Sequence, residues 1–171
     1  DLALAILERR RSAERIPGSR MRVDRPWVWS IAGIAMVTIP LALPPESAAL
    51  LFGAVWIGFF LLLDPLNELL GVPALRQRWR QGDRRLAYSL LLGGMICGLL
   101  WEFWNHQAAA AGGAYWVYIF PDPLRPLGLR FGQMPVLGLL GFPPFALELF
   151  AFYQFIREIL GGDRVYSPGH S

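Results

Sequence analysis

Apolar runs alternate with short polar breaks rich in proline along this chain, and the run lengths predict the architecture. A helix needs about 17 or more apolar residues to cross a bilayer, and four runs come close to that length or exceed it. The first, Trp27 to Leu43, is entered through Pro26. Trp27 and Trp29 suit the interface, and Pro40 in the last turn is expected to kink the helix. The second, Ser47 to Leu63, follows Pro44-Pro45-Glu46-Ser47, with Glu46 or Ser47 as its cap, and Asp64-Pro65 closes it. The third, Leu86 to Gln107, is the longest uninterrupted span. The last block, Pro135 to Leu160, has two readings. It is one kinked span, or a short re-entrant piece over Pro135 to Phe142 followed by a helix from Pro143-Pro144 to Leu160. Proline is tolerated in a first turn and disfavoured in a helix interior, which favours the second reading.

The breaks carry their own structure. Residues 64–85 hold five arginines, and Pro73 to Gln81 is expected to form a short surface helix whose Leu75 and Trp79 dip into the headgroups. Residues 108–134 contain YWVYIF, which is too short to cross and is expected to lie over the mouth of the bundle as part of an ordered outer cap. Residues 1–25 begin with LALAIL, read as an interfacial helix, with the tail of an earlier span as the alternative. The chain starts at Asp1 without an initiator methionine, so the true N-terminus is expected to lie upstream.

Charge orients these elements. Fourteen of the sixteen basic residues fall before Trp27, in the 64–85 loop or at and beyond the end of the last run (Arg157 and Arg164); only Arg125 and Arg130 lie in the 108–134 loop. The positive-inside rule then predicts four spans (about 27–43, 47–63, 86–107 and 143–160) with both termini cytoplasmic and 108–134 outside. The fold class is an all-α integral membrane protein, one membrane domain over residues 1–171. Composition agrees: 54% of residues are hydrophobic and 17% charged, against about 25% charged in soluble domains. The net charge of +3 is distributed around the spans instead of forming a recognition face, which speaks against a nucleic-acid partner. Cys97 is the only cysteine, so neither a disulfide framework nor a cysteine metal site is available.

Candidate chemistry centres on the third span. On a helix, Gly94, Gly98, Glu102 and Asn105 fall within an arc of roughly 80°. The two glycines suit close helix packing. Glu102 lies roughly 24 Å along the span from Leu86, and Glu148 lies near the start of the last helix, so the two acids are expected to share a depth. Trp101, Trp104, Asn105, His106 and Gln133 would join them in a polar pocket under the outer surface. Three readings of that pocket stand open: carboxylates that cap loop backbone amides, a headgroup site for a lipid, isoprenoid or pigment, and an acid/base pair formed by Glu102 and Glu148. No metal site is expected, because a carboxylate-bridged di-metal bundle wants Glu-x-x-His twice, whereas here Glu102-x-x-Asn105 occurs once.

The segments WEFWN (Trp101 to Asn105), AYWVYIFP (Ala114 to Pro121) and QMPVLGLLGFPPFALELFAFY (Gln133 to Tyr153) together resemble a family of bacterial multi-span inner-membrane proteins with no assigned activity. The resemblance covers the second half of the chain and implies a multi-pass protein of the bacterial inner membrane. The family pattern commonly has an acid before Met-Pro where this chain has Gln133, which counts against any three-carboxylate mechanism. The functional expectation is a non-catalytic accessory or scaffold subunit. Its partners would be membrane lipids and other membrane-protein subunits, with a bound lipid, carotenoid or chlorin as the candidate cofactor. An intramembrane enzyme acting on a lipid or isoprenoid through Glu102 and Glu148 is the alternative.

Overall fold

The computed structural model describes residues 25–120 and 128–161. The expected interfacial segment (residues 1–24 of it), the Pro-rich stretch with Arg125 and the tail with Arg164 lie outside the described residues. In chain order the elements are α1 (Pro26–Ala42), α2 (Pro45–Ala48), α3 (Phe52–Leu69), α4 (Leu75–Arg80), α5 (Arg85–Ala110), β1 (Arg130–Phe131), β2 (Met134–Pro135), α6 (Val136–Leu139) and α7 (Phe142–Ile159). The all-α reading fits, with one two-residue hairpin as the only sheet among the described residues.

Three stretches are long and apolar enough to cross a membrane: Phe52–Leu69, Arg85–Ala110 and Val136–Ile159. The helix Pro26–Ala42 is apolar too but stops at 17 residues. Many of their outward side chains are large and apolar, among them Ile31, Ile34, Leu92, Ile96 and Leu99. Such surfaces are costly in water and ordinary against lipid.

The long helices pack as a row, α1 on α3, α3 on α7 and α7 on α5. Small residues permit two of these approaches. A Cβ on Gly33 would stand 2.6 Å from the Gly58 carbonyl oxygen and 2.6 Å from the Leu62 nitrogen, so α1 and α3 meet backbone to backbone. A Cβ on Gly94 would stand 2.5 Å from the Phe142 carbonyl oxygen, and one on Gly98 2.6 Å from the Phe142 ring. The glycine face of α5 is therefore covered by the first turn of α7. Gly33 and Gly58 went unnoticed in the sequence because they lie on different runs with no local spacing to link them.

Two expectations are corrected along the second long helix and the loop that follows it. The second long helix begins at Phe52, since Pro45–Ala48 forms a separate short turn of helix, and neither Glu46 nor Ser47 caps either piece. It also runs through Asp64-Pro65 to Leu69 instead of stopping at Leu63. The helix continues because Asp64 and Asn67 find hydrogen-bond partners inside the protein. Asp64 takes backbone N–H groups from α4, and the Asn67 amide donates to the Ala151 carbonyl at 2.8 Å. The second correction concerns α4, whose apolar residues turn inward instead of into headgroups. Leu75 is fully buried in a core with Phe60, Leu63, Ala87 and Ala151, and Trp79 packs against that core and against the Trp29 and Phe60 rings.

At the opposite end, residues 114–120 cross back over α5, and the hairpin β1–β2 follows with Phe131 opposite Met134. Gly132 makes its turn at φ +59°, a left-handed conformation that glycine adopts without cost. The block that follows comes in two pieces, α6 and then α7, with Pro143 and Pro144 in the first turn of α7.

Candidate functional site

Glu102 is fully buried, and its carboxylate is saturated. One oxygen, Oε1, accepts the backbone N–H of Gln133 in a very short hydrogen bond and that of Met134 at 3.2 Å. The other, Oε2, accepts the Tyr118 hydroxyl at 2.8 Å and the Asn105 Nδ2 at 3.3 Å. A carboxylate offers about four lone-pair positions, and all of them are used. Two consecutive backbone N–H groups aim at Oε1 because the hairpin turns tightly at Gly132, where a Cβ would stand 2.5 Å from that oxygen.

Asn105, one turn further on the same face, holds the neighbouring segment as a strand partner would. Its Oδ1 accepts the Trp116 N–H at 2.5 Å, and its Nδ2 donates to the Trp116 carbonyl at 3.0 Å. Trp101 adds a third tie, its indole N–H donating to the Tyr118 hydroxyl at 3.0 Å. Tyr118 therefore donates to a carboxylate and accepts from an indole. Burial and the adjacent Glu102 carboxylate both hold its phenol above the usual range, so it remains a donor throughout ordinary pH.

Of the residues named from sequence, Trp101, Glu102, Asn105 and Gln133 come together, the last through its backbone amide. Trp104 is 63% exposed, and His106 is exposed as well. Among the described residues no group of three or more His, Cys, Asp or Glu side chains is placed to hold a metal ion.

Glu148 does not join them, so the expected shared depth is corrected. Phe142 lies against Gly98; Glu102 stands one turn beyond Gly98 towards the cap, and Glu148 lies six residues from Phe142 in the other direction. At 1.5 Å per residue the two acids are roughly 15 Å apart along the helices. The cause is the cap itself. The hairpin and α6 occupy the level of Glu102, and α7 begins only at the level of Gly94 and Gly98. Glu148 is buried, with no hydrogen-bond partner for its Oε2 among the described residues.

Tyr118, Trp116, Met134 and Gly132 are the partners that sequence reading did not name. The available signal was the i, i+3 pairing of Glu102 with Asn105 on a face of small residues, which marks a surface meant to receive another polar chain.

Beneath residues 116–120 lies a cavity of about 560 Å³, walled by Phe52, Trp56, Trp101, Trp116, Phe142 and Phe145. A second cavity of about 320 Å³ adjoins it, sharing Phe52, Trp56, Phe120, Gly138 and Gly141. His106 lines neither, and no described lining residue offers an axial nitrogen to a chlorin. Compared with protein-family models, curated proteins and solved structures, the chain matches none.

Proposed function

We propose that the chain is a non-catalytic accessory or scaffold subunit of a larger membrane assembly, with lipid or pigment contacts. In this reading four helices span a cytoplasmic membrane, of the bacterial inner type that the family resemblance implies. Both termini face the cytoplasm and the cap faces outward. The observation that carries the reading is the saturation of Glu102: with four donors bound, the carboxylate has no free position from which to take or give a substrate proton. Its role is to latch the cap. The distance to Glu148 also weakens the case for a paired acid/base site. The row arrangement leaves α1 and α5 at its edges with apolar faces uncovered, which suits lateral packing against other subunits.

Purification in mild detergent tests the role through particle mass, absorption spectrum and extracted lipid. Co-purifying membrane subunits are the expected result. A lone particle that turns over a lipid, with activity lost in Glu102→Gln, would overturn it. Topology is checked separately in a Cys97→Ser background, with cysteines placed at the exposed Gln77 and Ala114. An impermeant reagent should reach them from opposite sides, and labelling of both from outside intact cells contradicts the four-span arrangement.

A further inference from the structure

The paired cavities under residues 116–120 raise a question of occupancy that the scaffold role does not answer. Among the described residues no charged side chain lines either of them. Of the polar side chains lining the larger one, the Tyr118 hydroxyl is engaged with Glu102 and the Trp101 indole N–H with Tyr118, which leaves the Trp56 and Trp116 indoles. A water molecule needs two to four polar partners to be held in such a space, so ordered water is a poor filling. The larger pocket opens to the surroundings, so its apolar walls meet either the bilayer or a bound molecule. Its volume of about 560 Å³ lies within the range of small-molecule sites, about 300–1,000 Å³. The filling is therefore apolar matter supplied from outside the described residues.

The lining narrows the class. The two cavities share Phe52, Trp56 and Phe120, whose rings form a ladder: Phe52 to Phe120 at 5.2 Å and Phe52 to Trp56 at 5.8 Å between centroids. A hydrocarbon chain asks for no polar partner there, whereas a metal-bearing macrocycle needs an axial ligand that no described lining residue supplies. The roof is fixed in advance, because residue 116 is tied to Asn105 and residue 118 to Glu102 and Trp101. A site that needs no ordering on binding loses little affinity to that cost. Glycines shape the floor: a Cβ on Gly138 would stand 2.7 Å from Met134 and 3.2 Å from the Phe120 ring.

We infer that this cavity pair is a binding site for the single hydrocarbon chain of a lipid, threaded under the strap formed by residues 116–120, with the headgroup left outside. Acyl and isoprenoid chains share the required chemistry.

The test uses the full chain in mild detergent, and native mass spectrometry counts retained lipid. One lipid per protein is expected. Val117 sits at the open lip and is 65% exposed, so Val117→Trp fills the site without disturbing the core. That variant should keep the wild-type melting temperature and lose occupancy by about tenfold. Independently of any variant, phosphatidylglycerol brominated on its acyl chain should quench tryptophan emission of the wild-type chain and saturate at one lipid per protein. Competition by a polyprenol, or by unlabelled phosphatidylglycerol, tells which chain type the site prefers. Quenching that rises without saturation, or unchanged occupancy in a folded Val117→Trp, would show only a general lipid shell and overturn the site. A retained pigment in place of a lipid overturns the assignment of the occupant.

Discussion

The two ends of the molecule hold their loops with the same device in different surroundings. At the arginine-rich end, Asp64 on α3 accepts the N–H groups of Leu75 and Arg76 at 2.7 and 2.8 Å. At the cap end, Glu102 on α5 accepts those of Gln133 and Met134. Each carboxylate is fully buried, and each takes two consecutive amides at or just before a short helix. The surroundings differ in charge. Near Asp64, Arg76 bonds Glu68 at 2.6 Å, Arg80 also pairs with Glu68, and Arg78 reaches Asp83 at 3.3 Å. Around Glu102 every partner among the described residues is neutral. The more exposed pairs of Arg78 and Arg80 contribute little, typically below about 1 kcal/mol, whereas Arg76 is buried and its bond to Glu68 adds order at this end alone; the amide–carboxylate bonds are what the two ends share. A buried carboxylate in a span thus needs no cation when enough N–H and O–H donors converge on it.

Asp64→Ala should produce the largest loss. It strands two N–H groups in the main core, at about 1–3 kcal/mol each, and the whole bundle should melt earlier in a thermal scan in mild detergent. A loss no larger than that of an exposed control substitution would show that α4 is held by its arginines instead. Glu102→Ala should come next and remain local. Hydrogen exchange should rise at 116–120 and 130–135 with the helices unchanged, whereas Glu102→Gln keeps an acceptor for the amides and should be mild. Since the two latches share no partner, the double alanine variant should be additive to within about 0.5 kcal/mol.

Two smaller effects separate the ends further. The raised phenol of Tyr118 makes its contribution complete below about pH 10, the ordinary value, and lost as pH climbs from there towards the higher folded value. Hydrogen exchange of the cap should be flat to that pH and accelerate above it, and Tyr118→Phe should remove the acceleration at a cost of about 1 kcal/mol. Glu148→Gln should have the smallest effect. Glu148 latches nothing among the described residues, so the melting temperature is expected to hold or rise slightly, and a loss comparable to Glu102→Ala would reveal a partner.

Much of the architecture was legible because run length and helical periodicity are local properties. The face bearing Gly94, Gly98, Glu102 and Asn105 followed from spacing alone, and those four residues are among those that α5 buries. What could not be read was long-range. Asp64-Pro65 carries the local chemistry of a helix end, and only amides eleven and twelve residues later, folded back against it, make it a helix interior. Leu75 and Trp79 show surface-helix spacing, yet the core they enter is assembled from α3, α5 and α7. The depth of Glu148 depended on how much chain the cap would occupy, and no periodicity encodes that.

Sequence separation gives the two latches different histories during synthesis. The amides that satisfy Asp64 follow it by eleven and twelve residues, and those that satisfy Glu102 by thirty-one and thirty-two. The longer closure costs roughly 0.9 kcal/mol more entropy, a minor difference. The timing matters more. A nascent chain that has made α3 has the Asp64 donors almost at once. Glu102 must wait, already within a helix long and apolar enough to cross a membrane, until the hairpin has been made. In that interval an unpaired carboxylate and the Asn105 amide are presented to whatever lies alongside, which leaves the third long helix able to lean on a chaperone or a neighbouring subunit before its own cap arrives.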